Sequence, residues 1–370
     1  MIHYLDIMKQ SIKSITIANT YKKYEGVTKA AKLYNQVLID LGFNVKFLQL
    51  TYGDDLSKYS DHPVEGRKLP LQKLNKAYNI FFVFPKIAGK NDSNLLILSD
   101  PWLLRTAKYR NHIVVIFHDI RQLTSYRDGI MGSLLFRVMM LYLKKVDSII
   151  CISETCKNEL LNRKLVNERK VHVIENALFP GKVCEHSGEV VDRLSNYSRK
   201  TSFNIVYVAA DQKHKNIDFY MIMAAYVIKK YGERFVFHLI SNIREERVLD
   251  YLRKKTTNFI VDHDIIDLDS FYSKMDLLMF PSSYEGFGRP LVEAMSHGLP
   301  IIALDIPITR EIVGDSGILL NKLDNSLWES SLLKIMDENF YRHYSHLVYE
   351  RAKLYDYSVF KDRVSKFFSE

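Results

Sequence analysis

Cysteine is scarce. The 370 residues hold three, Cys151, Cys156 and Cys184. That number and spacing build no disulfide framework, and no Cys-x2-Cys pair offers a zinc site. The expected state is reduced thiols packed as small apolar side chains. Also lacking is the run of about 18–20 apolar residues that a membrane span needs. The longest greasy stretch, Leu134 to Leu143, is cut by Arg137. No apolar run behind a basic start marks a signal peptide, and no short-period repeat or low-complexity tract is present. What is there belongs to a globular protein: 47% apolar and 26% charged residues exclude a disordered chain. One hydrophobic core seldom grows past about 250–300 residues, so two domains are expected.

The net charge of +9 is one-sided. Residues 1–190 hold 28 Lys+Arg against 18 Asp+Glu, and the remainder hold 24 against 25. A basic half attracts anions over long range, so acidic lipid surfaces, nucleic acid and phosphorylated substrates are its candidate partners. A solvated Lys-rich face explains the same charge. The basic residues are scattered and form no recognised nucleic-acid motif, so no specific nucleic-acid partner is expected. The segment Gly132–Lys145 sets Leu134, Phe136, Met139 and Leu143 beside Arg137, Lys144 and Lys145. It reads as a core helix with basic ends, with a bilayer-interface helix as the alternative.

Short β-branched and aromatic runs recur between helix-length segments. In the first half they are Ile15–Ala18, Asn44–Leu48, Ile80–Phe84, Leu95–Leu98, Ile113–Phe117, Ser148–Ile152 and Val171–Ile174. In the second they are Asn204–Val208, Phe235–Ile240, Phe259–Val261, Leu277–Phe280, Ile301–Ala303 and Gly317–Leu319. Continuous apolar strands alternating with helices predict doubly wound parallel sheets. Phe179-Pro180-Gly181 opens a polar stretch, so domains are expected at 1–180 and 181–354, facing a central cleft.

In such sheets ligands lie beyond the carboxyl ends of the strands. Four loops there carry candidate residues. Gly26 opens a helix with an apolar face of Val27, Ala30, Ala31, Tyr34, Val37 and Leu38, and a helix start attracts anions. Alone it reads as an ordinary turn. His118 follows Ile113–Phe117 and is suited to donate a hydrogen bond to a sugar hydroxyl or phosphate. Lys213-His214-Lys215-Asn216 follows the first strand of the second half, and its ammonium groups can neutralise a diphosphate.

The fourth loop is the most specific: Pro281-Ser282-Ser283-Tyr284-Glu285-Gly286-Phe287-Gly288-Arg289-Pro290-Leu291-Val292-Glu293-Ala294-Met295. Pro290 suits a first helical turn, while Gly298 and Pro300 stop the helix. Gly286 and Gly288 bare the backbone before a helix N-terminus, where a diphosphate docks. Glu293 leans back toward that mouth, where a carboxylate accepts from ribose hydroxyls. Asp267-Leu268-Asp269 looks like a metal-binding Asp-x-Asp only in letters, and reads as a helix cap.

This run resembles the signature of retaining glycosyltransferase family 4, whose fold is GT-B. Residues 281–295 match the Glu-x7-Glu pattern nearly throughout. Other matches follow in order: Glu25-Gly26, His118-Asp119, Asp147 to Ser153, Asn176, His214-Lys215-Asn216 and Arg310 to Gly314. A final helix near 357–369 resembles the one that braces the N-terminal domain, so 355–370 is assigned there. The resemblance implies two Rossmann-like domains, the first for the acceptor and the second for the donor. It implies retaining transfer from a UDP-, GDP- or ADP-sugar to a glycan or lipid-linked acceptor, with no cofactor and no metal.

By the same resemblance Glu293 holds the ribose, Glu285 the sugar hydroxyls, and Lys215 the diphosphate. Phe287 and Gly288 offer backbone N–H groups, Arg289 lies with them, Gly26 closes over the diphosphate, and His118 positions the sugar. Many members carry an arginine six residues before the lysine, where this chain has Ala209. The expected location is cytoplasmic, with an anionic membrane surface as a partner. A GT-B epimerase and a weak GT-B binding module are the alternatives. Ser241, Asn242 and Asp264 are candidates for choosing the donor.

Overall fold

The computed structural model describes residues 12, 14–20, 26–51, 63–65, 78–127, 129–195, 197, 202–243, 258–263 and 267–369. The chain divides into two compact units, Met1–Ala177 with Ser358–Glu370, and Leu178–Tyr357.

In the first unit every side chain of β1 (Ile15–Thr20) is buried, as a central strand covered on both faces requires. The other strands are β2 (Val45–Thr51), β3 (Pro63–Glu65), β4 (Leu95–Leu98), β5 (Ile113–Phe117), β6 (Ser148–Cys151) and β7 (Val171–Val173). They pair in parallel in the order β3-β2-β1-β4-β5-β6-β7. The short strand β3 was not foreseen. It lies at the sheet edge and begins with Pro63, the place a strand tolerates a missing N–H.

The expected strand Ile80–Phe84 is instead helical. Asn79–Val83 forms a π-helical turn that leads into an α-helix, Phe84–Gly89, with Pro85 in its first turn. Short apolar runs do not distinguish strand from buried helix by periodicity. Here Pro85 suits a helix N-terminus and opposes a central strand. The Gly26–Asp40 helix buries Ala30, Ala31, Leu33, Tyr34, Val37 and Leu38, and Gly42 follows at φ 85°. Cys151 and Cys156 are buried free thiols. The Cys184 side chain lies outside the described ones, as does Asp264.

The second unit holds β8 (Phe203–Val208), β9 (Phe235–Ile240), β10 (Phe259–Asp262), β11 (Leu277–Phe280), β12 (Ile301–Leu304) and β13 (Ile318–Leu320). All described pairings are parallel, in the order β10-β9-β8-β11-β12-β13. In each sheet the strand order reverses beside the first strand, at β1/β4 and at β8/β11. Those reversals open a crevice beyond the carboxyl ends, which is where such sheets bind ligands.

Candidate active site

The β8/β11 reversal brings together the second unit's two candidate loops, the one after β8 and the one after β11. The chain leaves β8 and forms a tight turn at Lys213–Lys215, closed by Asn216 in the left-handed region at φ 50°. Asn216 donates from Nδ2 to the carbonyl of Pro281 at 2.8 Å. Ser283 returns the link, donating its backbone N–H to the carbonyl of His214 at 2.8 Å and its hydroxyl to the same oxygen at 3.1 Å. Tyr207 completes the scaffold from beneath. Its hydroxyl lies 2.6 Å from the Lys215 carbonyl, to which it donates, and 2.8 Å from Ser282 Oγ. Burial, and then the charge of Glu285, pushes the Tyr207 phenol pKa well up, so it stays a neutral donor.

Two loops far apart in sequence are thus riveted together, and the result is an ion pair. Lys215 Nζ lies 2.5 Å from Glu285 Oε1, with side chains only 16% and 10% exposed. An ammonium has three donors, so one held by Glu285 leaves two for an anionic ligand.

Gly288 precedes the Arg289–Ser296 helix at φ 80°, ψ 54°. A Cβ there would meet Leu291 Cδ1 at 2.9 Å, so both the conformation and the space call for glycine. Arg289 and Glu293 face each other one turn apart, Nε to Oε1 3.5 Å. Phe287 is buried and packs edge-on to Tyr355 at 5.8 Å, which fixes the loop's backbone rather than offering the ring. Ala209, at the place of the family arginine, is buried.

Sequence reasoning missed what stands behind Glu293. Tyr272 is fully buried, and after burial itself the Glu293 and Asp269 carboxylates push its phenol pKa well up. His297 and His186 stack at 3.6 Å between centroids. Both face Asp269, whose other oxygen lies 2.6 Å from Lys182 Nζ. The His297 ring 3.5 Å away, then Lys182, holds the Asp269 carboxyl well below the usual range. Asp267 does cap its helix, accepting from Ser270 N at 3.1 Å. His297 alone carried a signal, directly after the helix that holds Glu293.

In the first unit the β1/β4 reversal holds a buried polar chain. Ser99 donates to Asn19 Oδ1 at 2.6 Å, Asn19 to Thr28 at 3.4 Å, and Thr20 to Asp100 Oδ2 at 3.0 Å. His118 Nε2 lies 2.8 Å from the Ser99 carbonyl. A carbonyl only accepts, so this nitrogen carries the proton. Burial lowers the His118 pKa, against the opposing pull of Asp100, and favours the neutral ring. A neutral ring with Nε2–H offers Nδ1 as an acceptor. The expected donation to a ligand is therefore corrected: the donor nitrogen is spent on Ser99. Gly26 is the exposed first residue of its helix.

The comparisons with known proteins bear on this geometry. The pattern of Glycosyltransferase Family 4 matches residues 25–178, and that of glycosyl transferases group 1 matches residues 202–338. The chain belongs to this glycosyltransferase family. It is 26% identical over 229 residues, 61% of each chain, to the O-antigen chain mannosyltransferase RfbU of Salmonella typhimurium. It spans between 52% and 61% of the length of RfbU and two further bacterial relatives in polysaccharide synthesis. The solved structure of WaaG, a glycosyltransferase of lipopolysaccharide biosynthesis, has a TM-score of 0.76 at 12% identity, covering 96% of this chain and 99% of that one. Anabaena HepE, solved with UDP and glucose, has 0.75 at 16%, with the same coverages. The fold is GT-B, two Rossmann-like units. Among the described residues no helix is long and apolar enough to cross a membrane.

Proposed function

We propose that this family member is a retaining glycosyltransferase that moves a sugar from a nucleotide diphosphate donor to a glycan or lipid-linked acceptor. The reading assigns the donor to the Leu178–Tyr357 unit and the acceptor to the other. One observation carries it: two loops at the β8/β11 reversal bring Lys215 and Glu285 into a buried pair beside the helix start that precedes Glu293. Lys215 and the Phe287 and Gly288 N–H groups stabilise charge on the leaving diphosphate. Glu285 accepts from sugar hydroxyls, Glu293 accepts from the ribose, and Arg289 steadies Glu293 from one turn away. By the family resemblance His118 accepts a hydrogen bond from a sugar hydroxyl at Nδ1, and Gly26 offers its helix start to an anionic group.

In this mechanism the bond from the anomeric carbon to the leaving phosphate oxygen breaks. A bond to the acceptor oxygen forms on the same face, and the acceptor's proton passes to the departing diphosphate. Catalysis is then positioning plus stabilisation of leaving-group charge, with no protein nucleophile and no metal. The relative RfbU is named a mannosyltransferase and HepE was solved with UDP, so mannose-bearing and uridine donors head the candidates.

A donor screen tests this reading. UDP-, GDP- and ADP-sugars are scored by thermal shift and by released nucleoside diphosphate, with and without a chelator, for the wild type and Glu293→Ala. One donor should stabilise and slowly hydrolyse with the wild type only, chelator or not. Silence across the panel from folded protein refutes it, and release with scrambled donor configuration and no acceptor favours an epimerase.

A further inference from the structure

The Ile130–Met140 helix is apolar on both sides. Its inward face is buried through Phe136, Met139 and Met140. Its outward face carries Ile130 at 79% exposure, Met131 at 68%, Leu134 at 55% and, just past its end, Leu141 at 72%. Positions 130, 134 and 141 are one, then two further turns apart and share a side, with Arg137 between them. The core-helix expectation therefore describes only half the circumference. A helix apolar all round needs cover on both faces, and large exposed apolar clusters mark interaction sites.

The charges around it select the cover. Arg127, Arg137, Lys144 and Lys145 are all exposed, and from 127 to 145 the sequence holds a single acid, Asp128. We infer that this face docks on an anionic lipid bilayer. Ile130, Met131, Leu134 and Leu141 enter the boundary between head groups and acyl chains, while the arginines and lysines reach phosphate from their apolar stems. An apolar protein partner would cover the leucines and leave four cations unmatched, whereas anionic head groups answer both. Eleven helical residues are about half a span, so the helix lies on the bilayer and not across it. The one-sided positive charge of the first half steers the same face toward such a surface. None of this depends on the transferase reading.

The test is co-sedimentation of the full chain with phosphatidylcholine vesicles and with vesicles containing phosphatidylglycerol, at low and high salt. Binding is expected to the anionic vesicles and to weaken with salt. Each basic side chain near such a surface strengthens binding by about fivefold. The variant Arg137→Gln/Lys144→Gln/Lys145→Gln is therefore expected to bind roughly a hundredfold more weakly. Ile130→Ser/Leu134→Ser/Leu141→Ser should lose the binding that survives high salt, with an unchanged melting temperature because all three side chains are exposed. Equal partition onto both vesicle types, or no binding by the wild type, overturns the inference without recourse to any variant. So does binding that both variants retain, and so does a dimer that the apolar variant abolishes, which would place a second copy on this face.

Discussion

Lys215 and Glu285 are 70 residues apart and are held at 2.5 Å by neighbours that never touch a ligand in the proposed mechanism. Tyr207, Asn216 and Ser283 fix the two backbones, so the pair is set before any donor arrives, and preorganised charge stabilises a transition state without reorganising. Removing one partner strands the other in a site with little water. Lys215→Ala should lower kcat/KM for the donor found in the screen by about 100- to 1,000-fold, the scale of one lost electrostatic group. It should also destabilise the fold by about 2–3 kcal/mol, because Glu285 is left unpaired. Lys215→Ala/Glu285→Ala should recover part of that stability while staying inactive. A double-mutant cycle of thermal unfolding reads this; additive losses would mean that the pair does not couple. At this scale the candidate residues were legible because each follows a strand end. What the sequence withheld was their partners: nothing local shows that the Ser99 carbonyl accepts from His118 Nε2, since β4 and β5 meet only in the sheet.

Elements were legible where their apolar runs are long or bounded by glycine and proline. β1, β5, β8, β9 and β11 appear close to their expected bounds because continuous burial on both faces leaves a continuous signature. The expected strand Ile80–Phe84 is helical because five apolar residues fit a buried helical turn equally well. Contacts between helices leave no such trace. The Ile217–Tyr231 and Asn325–Ile335 helices are joined through buried Glu329, which accepts from Tyr226 at 2.9 Å and from Tyr231, and pairs with Lys230 Nζ at 2.7 Å. The Lys230 bond, then that of Tyr231, lowers the Glu329 pKa to about 2. A carboxyl depressed on folding stabilises above its unfolded pKa of about 4.3 and loses that contribution as pH falls toward the folded value. Between about pH 4.5 and 2 the melting temperature of the wild type should therefore fall more steeply than that of Glu329→Gln, which lacks the ionised state. Parallel slopes in calorimetry would remove Glu329 from the account.

The whole molecule is not a string of two consecutive domains, because its last helix returns to the first. Ser358–Glu370 belongs with Met1–Ala177. Phe360 meets Tyr34 edge-on at 5.0 Å, Phe368 packs on Phe43 at 5.3 Å, and Phe367 meets His172 at 4.9 Å. Arg363 pairs with Glu175 at 2.6 Å. Phe360 and Val364 are fully buried and Phe368 nearly so. Each such side chain contributes about 1.5–3 kcal/mol by burial, so the three together contribute roughly 5–9. That matches the whole stability of an ordinary domain, about 5–15 kcal/mol. Ending the chain at Tyr357 should therefore melt the first unit far below its normal temperature, or leave it unfolded, although 177 of its residues remain. The Leu178–Tyr357 unit keeps its sheet, the Lys215–Glu285 pair and Tyr355 beneath Phe287, so its transition should persist. Calorimetry of the truncated chain is expected to show one transition near its original place and the other displaced or gone. If both stay in place, the helix adds nothing to the first unit; if both collapse, the units unfold as one and each depends on the other for stability.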